Sequence, residues 1–492
     1  MMETDPILLV KKAAMKDAEN TEPRQEKMCR YAKQIFIVLL ASLPNLFMGV
    51  TFTWPNVLRA HLATDNTTLF GAELHLSEWD FDMINSLVCI GSVFGLLLSG
   101  WLFQRISRKK SLIVAMVPGL VGWATLGLAV NTPMLLFGRL CDGMTTGMTT
   151  QIVVTYAVEI PDTAIRGTAC STTTILFLFG TALSVILSLA MTWYAVALSN
   201  VGAVLVYICL IVPFLPESPT FLIVTEKEKE ATKVLRKLRG NYSNIKTEMA
   251  LIKNMNDEVA GDKGWSFILQ REMQKKFLVL TILSLVQGFC GTEVLRPNVL
   301  KILEMSGVTG STDLFVIILI LVPISGAFVM SCIIDRLGRR GCLVLSLAFT
   351  MIAYVVLGST IFVQTLPLTS VVPIEFNDTA KQPPYQVELS DDTRQLTIII
   401  SLIVCIFGMN IGIQSLPFQL ASEYFPTTIR SQAMSLNLIV GYAINAIPLT
   451  LYSAMNNLLT TAGLFYFFAA VSGIGVVFTL LCVQETALML VG

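Results

Sequence analysis

The chain has 492 residues, 54% hydrophobic and 14% charged, and its 34 basic side chains balance its 34 acidic ones. Soluble proteins of this length carry about a quarter charged residues, so a mean hydropathy of +0.69 excludes an ordinary soluble domain and predicts an integral membrane protein. The balanced charge leaves no basic footprint for a nucleic acid.

Residues 1–33 are basic (Lys11, Lys12, Lys16, Arg24, Lys27, Arg30, Lys33) and lack the short apolar core of a signal peptide. Crossing a bilayer takes about 20 apolar residues. Twelve such runs follow, at 34–54, 83–103, 111–130, 134–154, 168–191, 196–214, 277–299, 313–334, 341–363, 396–418, 432–453 and 461–482. Arg105 to Lys110 follows the second run and Arg336 to Arg340 the eighth, which predicts cytoplasmic even-numbered connections and termini. The opposite side receives both histidines, His61 and His75, in the first external loop. It also receives two sequons, at Asn66 and Asn377, as candidate glycosylation sites. The ten cysteines fall in spans or on the cytoplasmic side, so neither a disulfide nor a metal site is expected. No cofactor is expected either.

The expected organisation is a cytoplasmic tail at 1–33, a six-helix half at 34–216, a helical linker at 217–276, a second six-helix half at 277–483 and a short tail at 484–492. Glu226 to Arg239 mixes both charge signs with Leu and Val at helical spacing. A solvated amphipathic linker helix is the expected form, with gate bracing as the alternative.

An acid–base phrase marks the two halves. Glu159 and Arg166 are seven residues apart, as are Glu423 and Arg430, and each pair lies between apolar runs. Arg166 and Arg430 are offset by 264 positions and Glu217 and Glu485 by 268, but Arg108 and Arg339 by only 231. One insertion in the second half, at about Val363 to Arg394, explains the shortfall. The fold class is therefore an all-α membrane protein of twelve transmembrane helices in two six-helix repeats, with a solute site expected at mid-membrane between them.

The sequence resembles the sugar-porter family of the major facilitator superfamily. The resemblance rests on Arg139-x3-Gly143-x3-Gly147, on Glu159…Arg166-Gly167 and on Pro216-Glu217-Ser218-Pro219-Thr220-Phe221-Leu222. It also rests on Asp335-Arg336-Leu337-Gly338-Arg339-Arg340 and on Glu423-x-Phe425-Pro426-x3-Arg430. It implies an inner gate of Arg108, Glu159, Arg166, Glu217, Arg339, Arg340, Glu423, Arg430 and Glu485. Arg–carboxylate pairs suit a latch that forms and breaks.

The chain departs from that pattern in places. Gln104 stands where the family has an acid, Ser107 where it has Gly, and Gln484 opens the last signature. The sugar-contacting positions that the resemblance implies are Thr174, Gln287, Glu293, Asn410, Gln414, Phe418, Tyr442 and Asn445. Glu293 replaces an Asn, Phe418 a Trp, and Pro323 the eighth-span Asn. Thr174 replaces a Gln, as in the insect trehalose carriers, and points to that branch. Glu293 and Arg296 are three apart on one helix face, as are Arg139 and Asp142. The second pair reads as structural. The first span, 34–54, contains no acid.

The expected activity is facilitated transport of a small neutral sugar, trehalose or a hexose, by alternating access in the plasma membrane. Proton-coupled symport and a non-transporting sugar sensor are the alternatives, and an enzyme is not expected. The partners are the sugar and the lipid bilayer. Oligomeric state is not legible.

Overall fold

The computed structural model of the chain describes residues 24–162, 165–240, 245, 249–250, 253, 270–305, 317–365, 391–425 and 430–485. Among them, regular structure is helical apart from one bridge between Thr67 and Glu73. The first apolar run is two helices, α1 (Arg24–Ser42) and α2 (Pro44–Leu62), because Pro44 cannot donate to a preceding turn but is tolerated where a helix starts. Then come α3 (Glu78–Arg105), α4 (Arg108–Gly127), α5 (Thr132–Glu159), α6 (Arg166–Ser188) and α7 (Trp193–Phe214). The linker supplies α8 (Pro219–Val224) and α9 (Glu228–Arg239). The second half comprises α10 (Arg271–Phe289), α11 (Thr292–Met305), a π-helical turn at Ile317–Leu321, α12 (Val322–Thr365), α13 (Asp391–Ile411), α14 (Leu416–Tyr424), α15 (Arg430–Thr450) and α16 (Tyr452–Cys482). α12 is broken at Gly338 and α16 at Thr460.

Among the described residues nine helical runs are long and apolar enough to cross a membrane, and 172–188 and 322–334 are shorter apolar helices. α5 completes the expected twelve spans. It carries a buried ion pair. Arg139 is 1% exposed and Asp142 2%. Arg139 donates from Nε to the Ile84 carbonyl at 2.9 Å, and from Nη1 to the Thr51 carbonyl at 2.9 Å and to Asp142 at 3.4 Å. The Thr51 hydroxyl donates to the other Asp142 oxygen at 3.1 Å. The pair therefore fastens α2, α3 and α5 together. A charge inside a span needs this degree of pairing, and the structural reading of Arg139–Asp142 fits.

Gly143 and Gly147 do the complementary work on the same helix. A Cβ on Gly143 would lie 2.4 Å from the Val88 carbonyl oxygen, and one on Gly147 2.1 Å from that of Ser92. The two backbones touch, as small residues allow where lipid gives helices no hydrophobic drive to associate. The close approach brings the Ser92 hydroxyl within 3.1 Å of the Gly143 carbonyl.

The described part of the linker exposes its polar face and docks its apolar one. Leu222, Ile223, Ala231 and Leu235 form a small core, and Leu238 joins the core of the first-half helices. Both arginines of the charged frame meet one carboxylate. Asp162, in the turn after α5, pairs with Arg30 of α1 and with Arg239 of α9, the latter at 2.9 Å. Lys33 and Gln34 of α1 donate to the carbonyls of Lys237 and Leu238 at 3.1 and 2.9 Å, which satisfies the C-terminal end of α9. The apolar stripe of α9 and Arg239 at its end thus serve docking, while its remaining charged side chains face solvent as an amphipathic helix requires.

The chain forms two compact units, Met1–Leu278 with Ala421–Ala446, and Val279–Leu420 with Ile447–Gly492. The stretch 421–446 belongs to the first unit through direct bonds. Gln151 donates to Ser435 at 2.6 Å, and Lys276 to the Tyr424 carbonyl at 3.0 Å.

Asp162→Ala strands two arginines whose side chains are 11% and 8% exposed. Breaking such a pair costs about 3 kcal/mol. The expected result is a lower thermal midpoint with accelerated hydrogen exchange confined first to α9. Unchanged exchange in α9 would contradict the clamp.

Candidate functional site

The seventh and tenth apolar runs are both discontinuous, and their breaks meet. α10 ends at Phe289 and α11 begins at Thr292, with Gly291 between them at φ 81°. A side chain at Gly291 is excluded twice. Its φ is left-handed, and a Cβ would lie 2.6 Å from the Tyr354 hydroxyl. In the tenth run α13 ends at Ile411 and α14 starts at Leu416. Between them the Gln414 amide N–H reaches back to the Met409 carbonyl at 3.1 Å.

Breaks expose backbone groups that lipid cannot satisfy, so they survive only where polar side chains or a cavity replace the lost partners. Gln287, 1% exposed, donates to the Gln414 carbonyl at 3.2 Å. The Gln414 side chain donates to Glu293 Oε1 at 3.0 Å. Glu293 sits in the first turn of α11, where a negative charge is favoured by the helix dipole. Arg296, one turn on, interacts electrostatically with Glu293. Asn410 is buried and ties its amide to the Ile406 carbonyl of its own helix at 2.8 Å.

Of the residues expected to contact sugar, Gln287, Glu293, Asn410 and Gln414 lie in one neighbourhood of the second unit. Pro323 lines the same pocket, just after the π-helical turn. Phe418, also in this unit, is half-buried on α14. Thr174, Tyr442 and Asn445 lie in the first unit, where Thr174 is exposed and the other two are buried. Asn445 Oδ1 has no hydrogen-bond partner among the described residues. Sequence reasoning missed Gln151, which accepts from Ser99 at 2.7 Å while donating to Ser435. Its signal was an amide within an apolar run.

The residues expected at the gate cap helices within their own units. Glu485 accepts from the amide N–H groups of Arg339 and Arg340, both at 3.0 Å. That is a bidentate cap on the segment of α12 that follows Gly338. Gly338 has φ 72°, and a Cβ there would sit 2.3 Å from a Glu485 oxygen. The first unit solves the matching end differently. Ser107 occupies the position of Gly338 in the repeat, with φ −64°, and its own hydroxyl caps α4 by accepting from Lys110 at 3.3 Å. Glu217 accepts the Lys109 N–H, also at 3.3 Å, and the Ser218 N–H at 3.2 Å. The Ser107 departure is thus compensated locally. Glu159 accepts from the Ser218 hydroxyl and lies within the electrostatic reach of Arg108. Glu423 is half-buried. The side chains of Gln104, Arg166 and Arg430 lie outside the described residues, as does Asn377. Asn66 is exposed in the loop between α2 and α3. Next to it, hydrogen bonds from Thr67 hold the Asp65 carboxyl below its usual range.

Polar side chains gathered at breaks in apolar helices are the arrangement that membrane carriers use for hydrophilic solutes. The chain belongs to the sugar transporter family, whose model, described as "Sugar (and other) transporter", matches residues 40–489. It is 26% identical over 462 residues to the facilitated trehalose transporter Tret1 of Apis mellifera ligustica, covering 93% of this chain and 86% of that one. It is also 26% identical over 463 residues to the mouse "Solute carrier family 2, facilitated glucose transporter member 6", covering 92% and 89%. The fold is similar to that of the proton:xylose symporter XylE, with a TM-score of 0.71 at 18% identity over 93% of this chain and 97% of that one.

Two substitutions test the caps. Gly338→Ala collides with Glu485, and Glu485→Gln weakens the same cap, so the double variant is expected to lose less thermal stability than the two single losses combined. Additive losses would contradict the contact. Ser107→Ala is expected to cost about 1 kcal/mol and Ser107→Gly only a few tenths.

Proposed function

We propose that the protein is a facilitative carrier of a small neutral sugar, trehalose or a hexose, working by alternating access. The observation that carries this reading is the linked polar set Gln287–Gln414–Glu293 at two helix breaks, in a chain of the sugar transporter family. Amides and carbonyls held in place at mid-span can replace the water on sugar hydroxyls. An unmatched buried polar group costs about 1–3 kcal/mol, so such a set tolerates hydrophilic solutes and rejects apolar ones. The trehalose and glucose carriers among the relatives, each matched over more than nine-tenths of this chain, support the same substrate class.

On this reading Thr174, Phe418, Tyr442 and Asn445 complete the sugar contacts. The bond from Gln151 to Ser435, with the charged set Arg108, Glu159, Arg166, Glu217, Arg339, Arg340, Glu423, Arg430 and Glu485, closes the cytoplasmic side. The carrier lies in the plasma membrane with both termini in the cytoplasm, and Asn66 and Asn377 carry glycans on the outer face. The absence of an acid from 34–54 and the anchoring of Asp142 by Arg139 and Thr51 favour diffusion over proton coupling.

The test is uptake of radiolabelled trehalose and glucose by cells expressing the chain, with surface expression measured in parallel. Saturable uptake, insensitive to dissipation of the proton gradient and abolished by Gln287→Ala, is the expected result. Surface expression without uptake of any sugar would replace the carrier with a sensor. Uptake that collapses with the proton gradient would make it a symporter.

A further inference from the structure

A small polar cavity lies against the buried ion pair of the first unit. Its volume is about 10 Å³, and it is lined by Thr51 of α2, by Met116 and Gly119 of α4, and by Asp142, Thr145, Thr146 and Thr149 of α5. A hydroxyl has a single proton to give, and three of these threonines have committed theirs. Thr51 shares its proton between the Phe47 carbonyl at 3.0 Å and Asp142 at 3.1 Å. Thr146 donates to the Asp142 carbonyl at 3.0 Å, and Thr149 to the Thr145 carbonyl at 2.8 Å. To a guest these three offer lone pairs. Thr145 is different. It is 9% exposed, and its hydroxyl has no hydrogen-bond partner among the described residues. The hydroxyl faces the cavity, because a Cβ on Gly119 would lie 3.0 Å from Thr145 Oγ1. Asp142 is under-bonded too. Among the described residues its carboxylate accepts the Thr51 hydroxyl at 3.1 Å and Arg139 at a long 3.4 Å, so lone pairs of a buried charge stay open.

We infer that this cavity is the binding site of one resident water molecule, which bonds Thr145 to the Asp142 carboxylate and completes the fastening of α2 to α5. Size, polarity and charge each select water. A water needs about 10–15 Å³ of such space and makes about three hydrogen bonds when buried. Here it accepts the Thr145 proton and donates twice, to Asp142 and to a lone pair of one of the other threonines. A hydroxyl and a carboxylate that are each costly to bury under-bonded are satisfied by one molecule. A sodium ion would suit the lone pairs, since oxygen ligands are what a hard cation takes. It would also set a second positive charge beside Arg139, with a single carboxylate to balance both. Water brings no charge. None of the positions expected to contact sugar lines the cavity, so the water belongs to the frame of the first unit and not to the path of a solute.

The experiment is X-ray radiolytic labelling of the purified full chain, read by mass spectrometry. Hydroxyl radicals formed from a bound water oxidise the side chains that touch it, and a thioether becomes a sulfoxide. Met116 and Met148 are both 1% exposed and share one core, but of the two only Met116 lines the cavity. In the unaltered chain Met116 is expected to be oxidised several-fold faster than Met148. Gly119→Ala, whose methyl group takes up the cavity, is expected to bring the Met116 rate down to that of Met148. Thr145→Val keeps the shape and removes the proton that the water accepts, so it is expected to slow Met116 oxidation and to lower the thermal midpoint. A hydroxyl buried with no partner would give the opposite sign, because its loss stabilises. Equal rates for Met116 and Met148 in the unaltered chain would overturn the inference whether or not either variant folds. So would a raised midpoint in Thr145→Val, or a Met116 rate that Gly119→Ala leaves unchanged. A midpoint of the unaltered chain that rises with sodium chloride and not with choline chloride would give the site to a cation and overturn it as well.

Discussion

Everything in this molecule answers to one constraint: a backbone group inside a bilayer has no water to bond to. Uninterrupted helices meet it automatically. The seventh and tenth spans do not, because each is cut near its middle, and there the chain supplies side chains in place of the missing bonds. Gln287 reaches the carbonyl of Gln414, and Gln414 reaches Glu293. The same groups that repair the backbone are those a sugar can use. On the proposed reading binding chemistry and structural repair share one set of residues, so a polar side chain in these spans cannot be assigned to one role by identity alone.

The helix ends at the basic turns show how the constraint is solved twice with different residues. In the second unit a left-handed Gly338 clears space for both oxygens of Glu485. In the first unit Ser107 adopts an extended conformation and uses its own hydroxyl, while Glu217 accepts the N–H groups of Lys109 and of its neighbour Ser218. What looks in the sequence like a decayed motif is a different cap at an equivalent place. Two of the carboxylates expected to act as latches, Glu217 and Glu485, accept backbone N–H groups at helix starts.

The large features were legible in the sequence because they are written as composition. Apolar runs gave the spans, and the repeated Glu–Arg phrase gave the two related halves. The buried pair Arg139–Asp142 followed from its spacing alone, since charges three apart on one helix share a face. The breaks at Gly291 and around Gln414 were hidden because an apolar run looks the same whether its backbone is continuous or cut. A glycine reveals a left-handed φ only once its neighbours, here Tyr354 and Phe468, are known. The docking of α9 was hidden for a related reason. Its charged face reads as solvated until Asp162, distant in sequence, is placed between Arg30 and Arg239. Gln151 was passed over because a lone amide in a span has many uses, and only Ser99 and Ser435 select one.

The central claim is that the broken spans of the second unit form a sugar site. Thermal unfolding of the purified protein over a series of trehalose and glucose concentrations tests it most directly, because a ligand that binds only the folded state stabilises it logarithmically above its dissociation constant. The account predicts a midpoint that rises with the concentration of at least one of the two sugars, and a flat response in Gln414→Leu. An equal rise in Gln414→Leu, or no rise with either sugar in the unaltered chain, would contradict it.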